Sequence, residues 1–190
     1  KDEDADSEDE EKSFLARKAE KKVLPPVDHS KIEYEPFRKN FYIEVPEIKR
    51  MTDKEVDELR KGDGSDPITV RGKKCPRPIK RWVQCGLSDR ILRQIEKQGY
   101  AAPFPIQAQA LPAIMNGRDV IGIAKTGSGK TMAYTLPMLR HVMDQPPLDN
   151  GEGPIGLVMV PTRELATQVY KEVRRFIVPV GLSVAAIFGG

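Results

Sequence analysis

The spacing of apolar positions divides the chain at about residue 80. Beyond that point, apolar residues recur at helical spacing after Ser88 and after Pro105. Short, continuous apolar runs predict buried strands at residues 119–123, 155–160 and 183–188. Between these runs, the pattern predicts helices at about residues 131–140 and 162–178. Because strands alternate with helices, the sequence predicts an α/β domain with a parallel sheet.

The residues before this domain show no sustained period. Residues 1–12 are acidic, which predicts disorder, and residues 13–23 predict a short charged helix that ends before two prolines. Residues 27–50 mix aromatic and basic residues with proline, which predicts an extended arm, and a short strand is predicted at residues 68–71. We therefore divide the chain into a tail, an arm and a domain, at residues 1–24, 25–79 and 80–190.

The arm has one clear helix signal. Thr52 and Glu55 form the T-x-x-E pattern of a capping box, and Met51 and Val56 have the spacing of a hydrophobic staple. A helix is therefore predicted at about residues 53–61. For the rest of the arm two interpretations stay open: its aromatic residues pack on its own domain, or they lie across a partner or an RNA.

Charge is distributed unevenly along the chain. The sequence has 31 Lys and Arg residues and 28 Asp and Glu residues, a net charge of +3. Residues 1–11 hold one lysine and eight acids, a sum of −7, so that residues 12–190 carry +10. A basic body favours a polyanionic ligand, and an acidic tail is typical of a solvated or partner-binding segment.

Other features of composition narrow the class of protein. Cys75 and Cys85 lack C-x-x-C spacing and the two histidines lie far from them in sequence, so no metal site is predicted and a reducing compartment is indicated. No apolar stretch approaches the length of a membrane span or of a secretory signal. We expect a soluble, intracellular protein that does not bind a membrane.

Residues 124–131 read A-K-T-G-S-G-K-T, which is the composition of a phosphate-binding loop between a strand and a helix. Gly127 and Gly129 allow the backbone to bring its N–H groups close to phosphate oxygens, and the positive end of the following helix faces the same anion. Lys130 is placed to reach the β- and γ-phosphates, and the hydroxyl of Thr131 is placed to bind Mg²⁺. The sequence therefore predicts a nucleotide-binding site.

An aromatic residue and an amide precede this loop, in the segment G-Y-A-A-P-F-P-I-Q. The ring of Tyr100 can stack on a purine, and the carboxamide of Gln107 offers a donor and an acceptor to the N6 and N7 edge of adenine. Each signal alone is weak, because such a tyrosine usually belongs to the core and such a glutamine is usually solvated. The lone tryptophan, Trp82, precedes the segment by 17 residues.

The segment P-T-R-E-L-A follows the second predicted strand. Thr162 is placed to cap a helix whose free N–H groups, together with Arg163, can hold a nucleic-acid phosphate. In the alternative interpretation, Thr162 is only a cap and Arg163 pairs with an acid.

In order and spacing, these segments and the pair Gly189-Gly190 resemble the front half of the DEAD-box RNA helicase family, over about residues 80–190. The resemblance implies an incomplete RecA-like P-loop NTPase domain, with a parallel sheet flanked by helices. Three positions depart from the family pattern: Trp82 stands where phenylalanine is usual, Phe104 where a small hydroxyl residue is common, and Lys125 where glutamine is frequent.

The resemblance also implies the roles of individual residues. Tyr100 and Gln107 correspond to the adenine-reading Q motif, supported by Trp82. The nucleotide contacts correspond to Lys125, Thr126, Gly127, Ser128, Gly129, Lys130 and Thr131, of which Lys130 and Thr131 take part in catalysis. The RNA contacts correspond to Pro161, Thr162, Arg163, Gly189 and Gly190.

The function implied by the resemblance is that of an RNA-dependent ATPase that uses ATP and Mg²⁺ to remodel single-stranded or short duplex RNA. The arm looks most like that of the family member acting at branch-site recognition in the spliceosome. This implies a nuclear, monomeric protein that contacts spliceosomal proteins through its tail and arm. Alternatives are a ribonucleoprotein-docking module at residues 1–80, a nuclear helicase of transcription or ribosome biogenesis, and a P-loop ATPase without RNA.

Several parts of the family's machinery do not occur within these 190 residues. Hydrolysis requires carboxylates and arginines that the family supplies from the D-E-A-D motif and from a second domain. In the family, the strands that flank the P-loop strand also come later in the sequence. We therefore expect an unpaired central strand, and expect these residues alone to be marginally folded and unable to hydrolyse ATP.

Overall fold

The computed structural model of the chain describes residues 25–34 and 36–189. The predicted disorder of residues 1–12, the predicted helix at residues 13–23 and the RNA-binding role of Gly190 lie outside the described residues. The chain divides into two compact units, residues 1–36 and 37–190. The described part of the first unit contains one 3-10 turn, His29–Lys31, which Asp28 caps by accepting from the Ser30 N–H.

The second unit is built from six α-helices, with two further 3-10 turns, within the described residues. The helices are α1 (Pro46–Lys49), α2 (Asp53–Lys61), α3 (Asp89–Lys97), α4 (Pro105–Met115), α5 (Lys130–Val142) and α6 (Arg163–Ile177). The 3-10 turns are Trp82–Gln84 and Val178–Val180. Helices α2 to α6 confirm the helices expected from the sequence, with ends that differ by one or two residues.

The start of α2 is the predicted capping box. The Thr52 hydroxyl accepts from the Glu55 N–H at 3.3 Å, and the Glu55 carboxylate accepts from the Thr52 N–H at 2.7 Å. The backbone hydrogen bond from Thr52 also lowers the pKa of Glu55. Met51 and Val56 are both buried beside this cap, in a small apolar cluster with Ile48. The local sequence therefore determines where this helix begins.

Ser88 precedes α3 without capping it through its side chain. Its hydroxyl instead lies 3.8 Å from the sulfur of Met143. The apolar stripe of α3 is as predicted, because Ile91 and Ile95 are fully buried.

The main core lies where α3 and α6 meet the helical pair α4 and α5. Its largest fully buried side chains are Ile79, Ile91, Ile95, Leu111, Met115, Leu136, Leu139 and Phe176. Burying an aliphatic or aromatic side chain stabilises a fold by about 1.5–3 kcal/mol. This core holds the start of α5, where the P-loop ends, against the Q-motif helix α4.

The predicted strands lack ladder partners within the described residues. Residues 68–71, 119–123, 155–160 and 183–188 form no strand ladder in the described part of the chain. Ile121 and Ile187 consequently expose more than nine-tenths of their side chains, at 93% and 92%. An extended segment needs a neighbour to satisfy its backbone groups. Within the described residues, these segments carry no backbone ladder that would define their order in a sheet.

The arm is bound to the C-terminal end of α4. The N–H groups of Phe41 and Tyr42 both donate to the carbonyl of Met115, at 2.7 and 3.0 Å. Beside them, Asn40 pairs with Asn116 in an isolated antiparallel bridge. Residues 37–79 accordingly belong to the same compact unit as the domain.

The arm also contacts the C-terminal end of α5 through an aromatic and basic cluster. Arg38 and Arg140 lie over the ring of Phe41, at 4.4 and 4.6 Å, and both arginines pair with Asp144. His141 packs edge-on against the same ring. At these residues, the structure favours the interpretation in which the arm packs on its own domain.

The arm is not extended throughout, which corrects the expectation for residues 27–50. A single helical turn, α1, begins at Pro46, whose ring fixes a φ angle suited to the first position of a helix. Glu47 on this turn accepts from Arg81 at 2.6 Å, and this hydrogen bond lowers the pKa of Glu47.

The two cysteines provide a test of this fold. Burial raises the pKa of the Cys85 thiol to about 12, whereas Cys75 is partly exposed. Because only the thiolate reacts, we expect iodoacetamide at pH 8 to modify Cys75 and to leave Cys85 intact in the native protein. Mass spectrometry of the labelled peptides measures this. Equal labelling of both thiols without denaturant would contradict the described core.

Candidate nucleotide-binding site

The phosphate-binding loop lies between an extended segment and α5, in the predicted order. Gly129 has a φ of 84° and directly precedes α5. A side chain at this position would overlap Gln107 and Phe104, so that glycine is required both by the backbone angle and by the close approach. The loop therefore presents the N-terminal end of α5 to a ligand, as expected for phosphate binding.

Gln107 joins the Q-motif segment to the loop. Its side-chain oxygen accepts from the Phe104 N–H at 2.9 Å, and its side-chain nitrogen donates to the Gly129 carbonyl at 3.0 Å. The residue is 1% exposed. A buried amide that lost one partner would carry a desolvation cost of about 1–3 kcal/mol. The carboxamide thus couples the position of the loop to the start of α4.

Lys130 is held by the loop itself. Its ammonium donates to the carbonyls of Ala124 and Lys125, at 2.5 and 2.6 Å. These carbonyls belong to the beginning of the same loop, so the side chain folds back over the space that the loop encloses. Its charge is available to a phosphate that displaces these hydrogen bonds.

A cavity of about 530 Å³ opens beside the loop. One wall contains Lys125, Gly127 and Ser128, and a second contains Phe104 and Ala108 from the Q-motif segment. Ser128 is 7% exposed, and its hydroxyl has no hydrogen-bond partner among the described residues. A buried polar atom without a partner costs free energy. The volume lies within the usual range for small-molecule sites.

Tyr100 and Trp82 lie away from this cavity. The Tyr100 ring stacks on Phe176 of α6 at a centroid distance of 6.4 Å, and the Trp82 indole donates to the Tyr100 carbonyl at 2.9 Å. The aromatic ring that does line the cavity belongs to Phe104, which is 47% exposed. The adenine-stacking role of Tyr100 therefore stays a prediction, and Phe104 is a second candidate for that role.

Phe104 occupies the position before α4 where a hydroxyl residue would cap the helix. Phenylalanine has no acceptor, so α4 begins without a side-chain cap of that kind, and only Gln107 contributes a bond to the backbone. The sequence revealed the departure at Phe104 but not its consequence. Its consequence is an aromatic surface that faces the cavity.

The predicted metal-binding hydroxyl, Thr131, lies at the first turn of α5 near two titratable side chains. Burial raises the pKa values of Glu172 on α6 and of Tyr134, and hydrogen bonding to Thr131 opposes both shifts. No cluster of three or more metal-binding side chains occurs among the described residues. These residues fit a metal ion that is held mainly by nucleotide phosphates, with Thr131 as one protein ligand.

The predicted RNA-binding residues form a separate group. The Thr162 hydroxyl accepts from the Leu165 N–H at 3.2 Å and caps α6, and Arg163 donates to the Gly189 carbonyl. The Arg163 guanidinium also lies 5.2 Å from the centre of the Phe188 ring. The structure thus brings together two segments that the sequence separates by more than twenty residues. Pro161 and Gly189 are exposed beside them.

The arm contributes residues to the nucleotide cavity that the sequence did not indicate. The turn after α2 provides Asp63, Ser65 and Asp66 as a third wall. Asp66 lies 3.7 Å from the ammonium of Lys125. No motif marks this turn, and the distance along the chain to the P-loop hides the contact.

In the part of the chain that is described, none of the helices has the length and apolarity needed to cross a bilayer.

Comparison with known proteins identifies the family of this chain. The family model described as "DEAD/DEAH box helicase" matches residues 104–190. Human "Probable ATP-dependent RNA helicase DDX46" is 60% identical over 171 residues, which is 90% of this chain and 16% of that protein. "DEAD-box ATP-dependent RNA helicase 42" of Arabidopsis thaliana is 55% identical over 185 residues, which is 97% of this chain and 16% of that protein.

Solved structures give the fold. The RNA helicase Prp28 from Chaetomium thermophilum, bound to ADP, superposes with a TM-score of 0.67 at 36% identity, over 78% of this chain and 35% of that one. Yeast DEAD-box splicing factor Prp28 superposes with a TM-score of 0.61 at 30% identity, over 69% of this chain and 31% of that one. The α/β, RecA-like fold class is confirmed. The chain spans about 16% of the length of these curated relatives. It therefore belongs to the DEAD-box helicase family.

Proposed function

We propose that this chain is the ATP-binding part of an RNA-dependent ATPase that remodels RNA. The observation that carries the proposal is the Gln107 carboxamide, which joins the Q-motif segment to the P-loop beside a cavity that Phe104 and Ser128 line. The names of the relatives, all ATP-dependent RNA helicases, support the same activity.

The proposed binding step uses the loop and the start of α5. The loop N–H groups and the positive end of the α5 dipole bind the phosphates, and Lys130 exchanges its two carbonyl partners for phosphate oxygens. Bound Mg²⁺ neutralises phosphate charge, with the Thr131 hydroxyl as a protein ligand. The base lies toward Phe104, the residue that directly precedes α4.

The proposed RNA contact lies at the start of α6. Arg163 would exchange the Gly189 carbonyl for a phosphate of single-stranded RNA, and the N–H groups of the first turn of α6 face the same phosphate. ATP closes this domain and a second one on the strand, the bent backbone destabilises a short duplex or a protein contact, and hydrolysis releases the RNA.

We further propose that the protein acts in the nucleus, in pre-mRNA splicing. The resemblance of the arm to the branch-site member of the family supports this, as does the similarity to yeast Prp28, a DEAD-box splicing factor. Spliceosomal proteins would bind through the tail and arm, and the protein would act as a monomer.

Replacing Lys130 tests the ATPase proposal. We expect Lys130→Ala to weaken ATP binding by about 10- to 100-fold, because a hydrogen bond to a charged group contributes about 1.5–3 kcal/mol. Lys171→Ala, which removes an exposed lysine of α6, is the matched control. Isothermal titration of the intact protein measures the difference. Unchanged ATP affinity in Lys130→Ala would rule out the P-loop as the site.

Replacing Gln107 tests whether its carboxamide transmits binding. Gln107→Glu keeps the size and the acceptor for Phe104, but it cannot donate to Gly129, so we expect ATP affinity to fall by about tenfold. Gln168→Glu on the exposed side of α6 adds the same charge without that contact. Fluorescence titration with an ATP analogue compares the two variants. Equal affinities would contradict the coupling.

Replacing Arg163 tests the RNA surface. We expect Arg163→Ala to weaken binding of single-stranded RNA and to reduce the slope of log K against log salt by about 0.7, the value for one phosphate contact. ATP binding without RNA should be unchanged. Arg174→Ala, an exposed arginine further along α6, is the control. A salt slope that is equal in both variants would place the RNA elsewhere.

A further inference from the structure

The nucleotide cavity has a third wall that comes from the arm. This wall consists of Leu59, Arg60, Asp63, Ser65, Asp66 and Ile68. The P-loop residues Lys125, Gly127 and Ser128 line the same cavity. This wall is the C-terminal end of α2 and the turn that follows it, which we call the arm turn (residues 62–68). A segment of the arm, which precedes the domain in sequence, thus encloses the space beside the phosphate-binding loop.

The arm turn is closed on itself by hydrogen bonds. The Ile68 N–H donates to the Arg60 carbonyl at 2.7 Å, which joins the two ends of the turn. Inside it, the backbone N–H and the hydroxyl of Ser65 both donate to one oxygen of Asp63, at 2.9 and 2.6 Å. The turn therefore has a defined shape, and Asp66 has a defined place on it.

The turn is also attached to α4. The Arg60 guanidinium donates to the side-chain oxygen of Gln109 at 3.1 Å, and the Gln109 nitrogen donates to the Pro76 carbonyl at 2.8 Å. Gln109 is 8% exposed, so this link is shielded from water. The arm turn consequently keeps its position relative to the Q-motif helix.

One charged contact crosses the cavity from this wall to the P-loop. A carboxylate oxygen of Asp66 lies 3.7 Å from the ammonium nitrogen of Lys125. The backbone carbonyl of Lys125 accepts a hydrogen bond from Lys130. The contact of Asp66 with Lys125 is therefore one residue removed from the hydrogen bonds of Lys130. An acidic side chain is therefore paired with an ammonium group of a residue that lines the cavity.

We propose that Asp66 is a positioning residue that opposes nucleotide binding by holding Lys125 toward the arm turn. A nucleoside polyphosphate competes with Asp66 for the Lys125 ammonium, because the ammonium cannot pair closely with both anions. Binding therefore separates Asp66 from Lys125. By thermodynamic reciprocity, a nucleotide loosens the contact between the arm turn and the P-loop as much as that contact weakens the nucleotide. This inference rests on the ATP site proposed above.

The exposure of the two side chains limits how much Asp66 changes the affinity for ATP. The side chains of Lys125 and Asp66 are 63% and 38% exposed, so water screens their attraction. Exposed pairs of this kind contribute about 0.2–1 kcal/mol, which corresponds to a change in affinity of up to about fivefold. Asp66 therefore adjusts the affinity for ATP without determining whether ATP binds.

A double-mutant cycle on the intact protein tests the proposal, with ATP affinity measured by isothermal titration. We expect Asp66→Asn to tighten ATP binding by about two- to fivefold. In a Lys125→Gln background, the same replacement should leave the affinity unchanged, because the group that Asp66 holds is gone. Asp57→Asn, an exposed acid of α2 without an ion pair among the described residues, controls for the change in net charge.

The outcomes separate this proposal from the proposed function. Tighter binding in Asp66→Asn that disappears in the Lys125→Gln background, with Asp57→Asn unchanged, supports it. If the unsubstituted protein binds ATP but Asp66→Asn has unchanged or weaker affinity, the positioning role is wrong while the ATP site stands. An equal gain with and without Lys125 also rules out the role. If the unsubstituted protein does not bind ATP, both proposals are wrong.

Discussion

The site depends on one buried amide. Gln107 accepts from the start of α4 and donates to the glycine at the start of α5, so the two helices that frame the cavity share a single side chain. Because the amide is shielded from water, neither bond is readily replaced by solvent. The P-loop and the start of α4 are therefore held together, and the core packs α4 and α5 against the rest of the unit.

The arm extends this arrangement rather than merely preceding it. Phe41 and its basic neighbours attach the arm to the end of α5, and Arg60 attaches it to Gln109 of α4. The end of α5 and the neighbouring helix α4 are thus both connected to residues before the domain. A residue such as Asp66, which lies on no catalytic motif, gains access to the nucleotide cavity in this way.

Local signals in the sequence predicted local structure well. The T-x-x-E box, Pro105 and Thr162 each determine a helix start through bonds or angles within a few residues, and the structure has helices at these places. Pairing of the apolar runs was less predictable, because a strand depends on partners distant in sequence. The ring of Tyr100 illustrates the same limit: its spacing matched a motif, but its neighbour is Phe176. Likewise, no sequence pattern links Asp66 to Lys125.

The central claim is that the cavity among the P-loop, Phe104 and the arm turn receives the nucleotide. Photo-cross-linking with 8-azido-ATP, followed by mass spectrometry, tests it most directly, because the reactive group is carried by the base. The account predicts labelling of peptides containing residues 99–109 or the arm turn, and its loss when unlabelled ATP competes. Competed labelling confined to peptides that do not line this cavity would contradict the account.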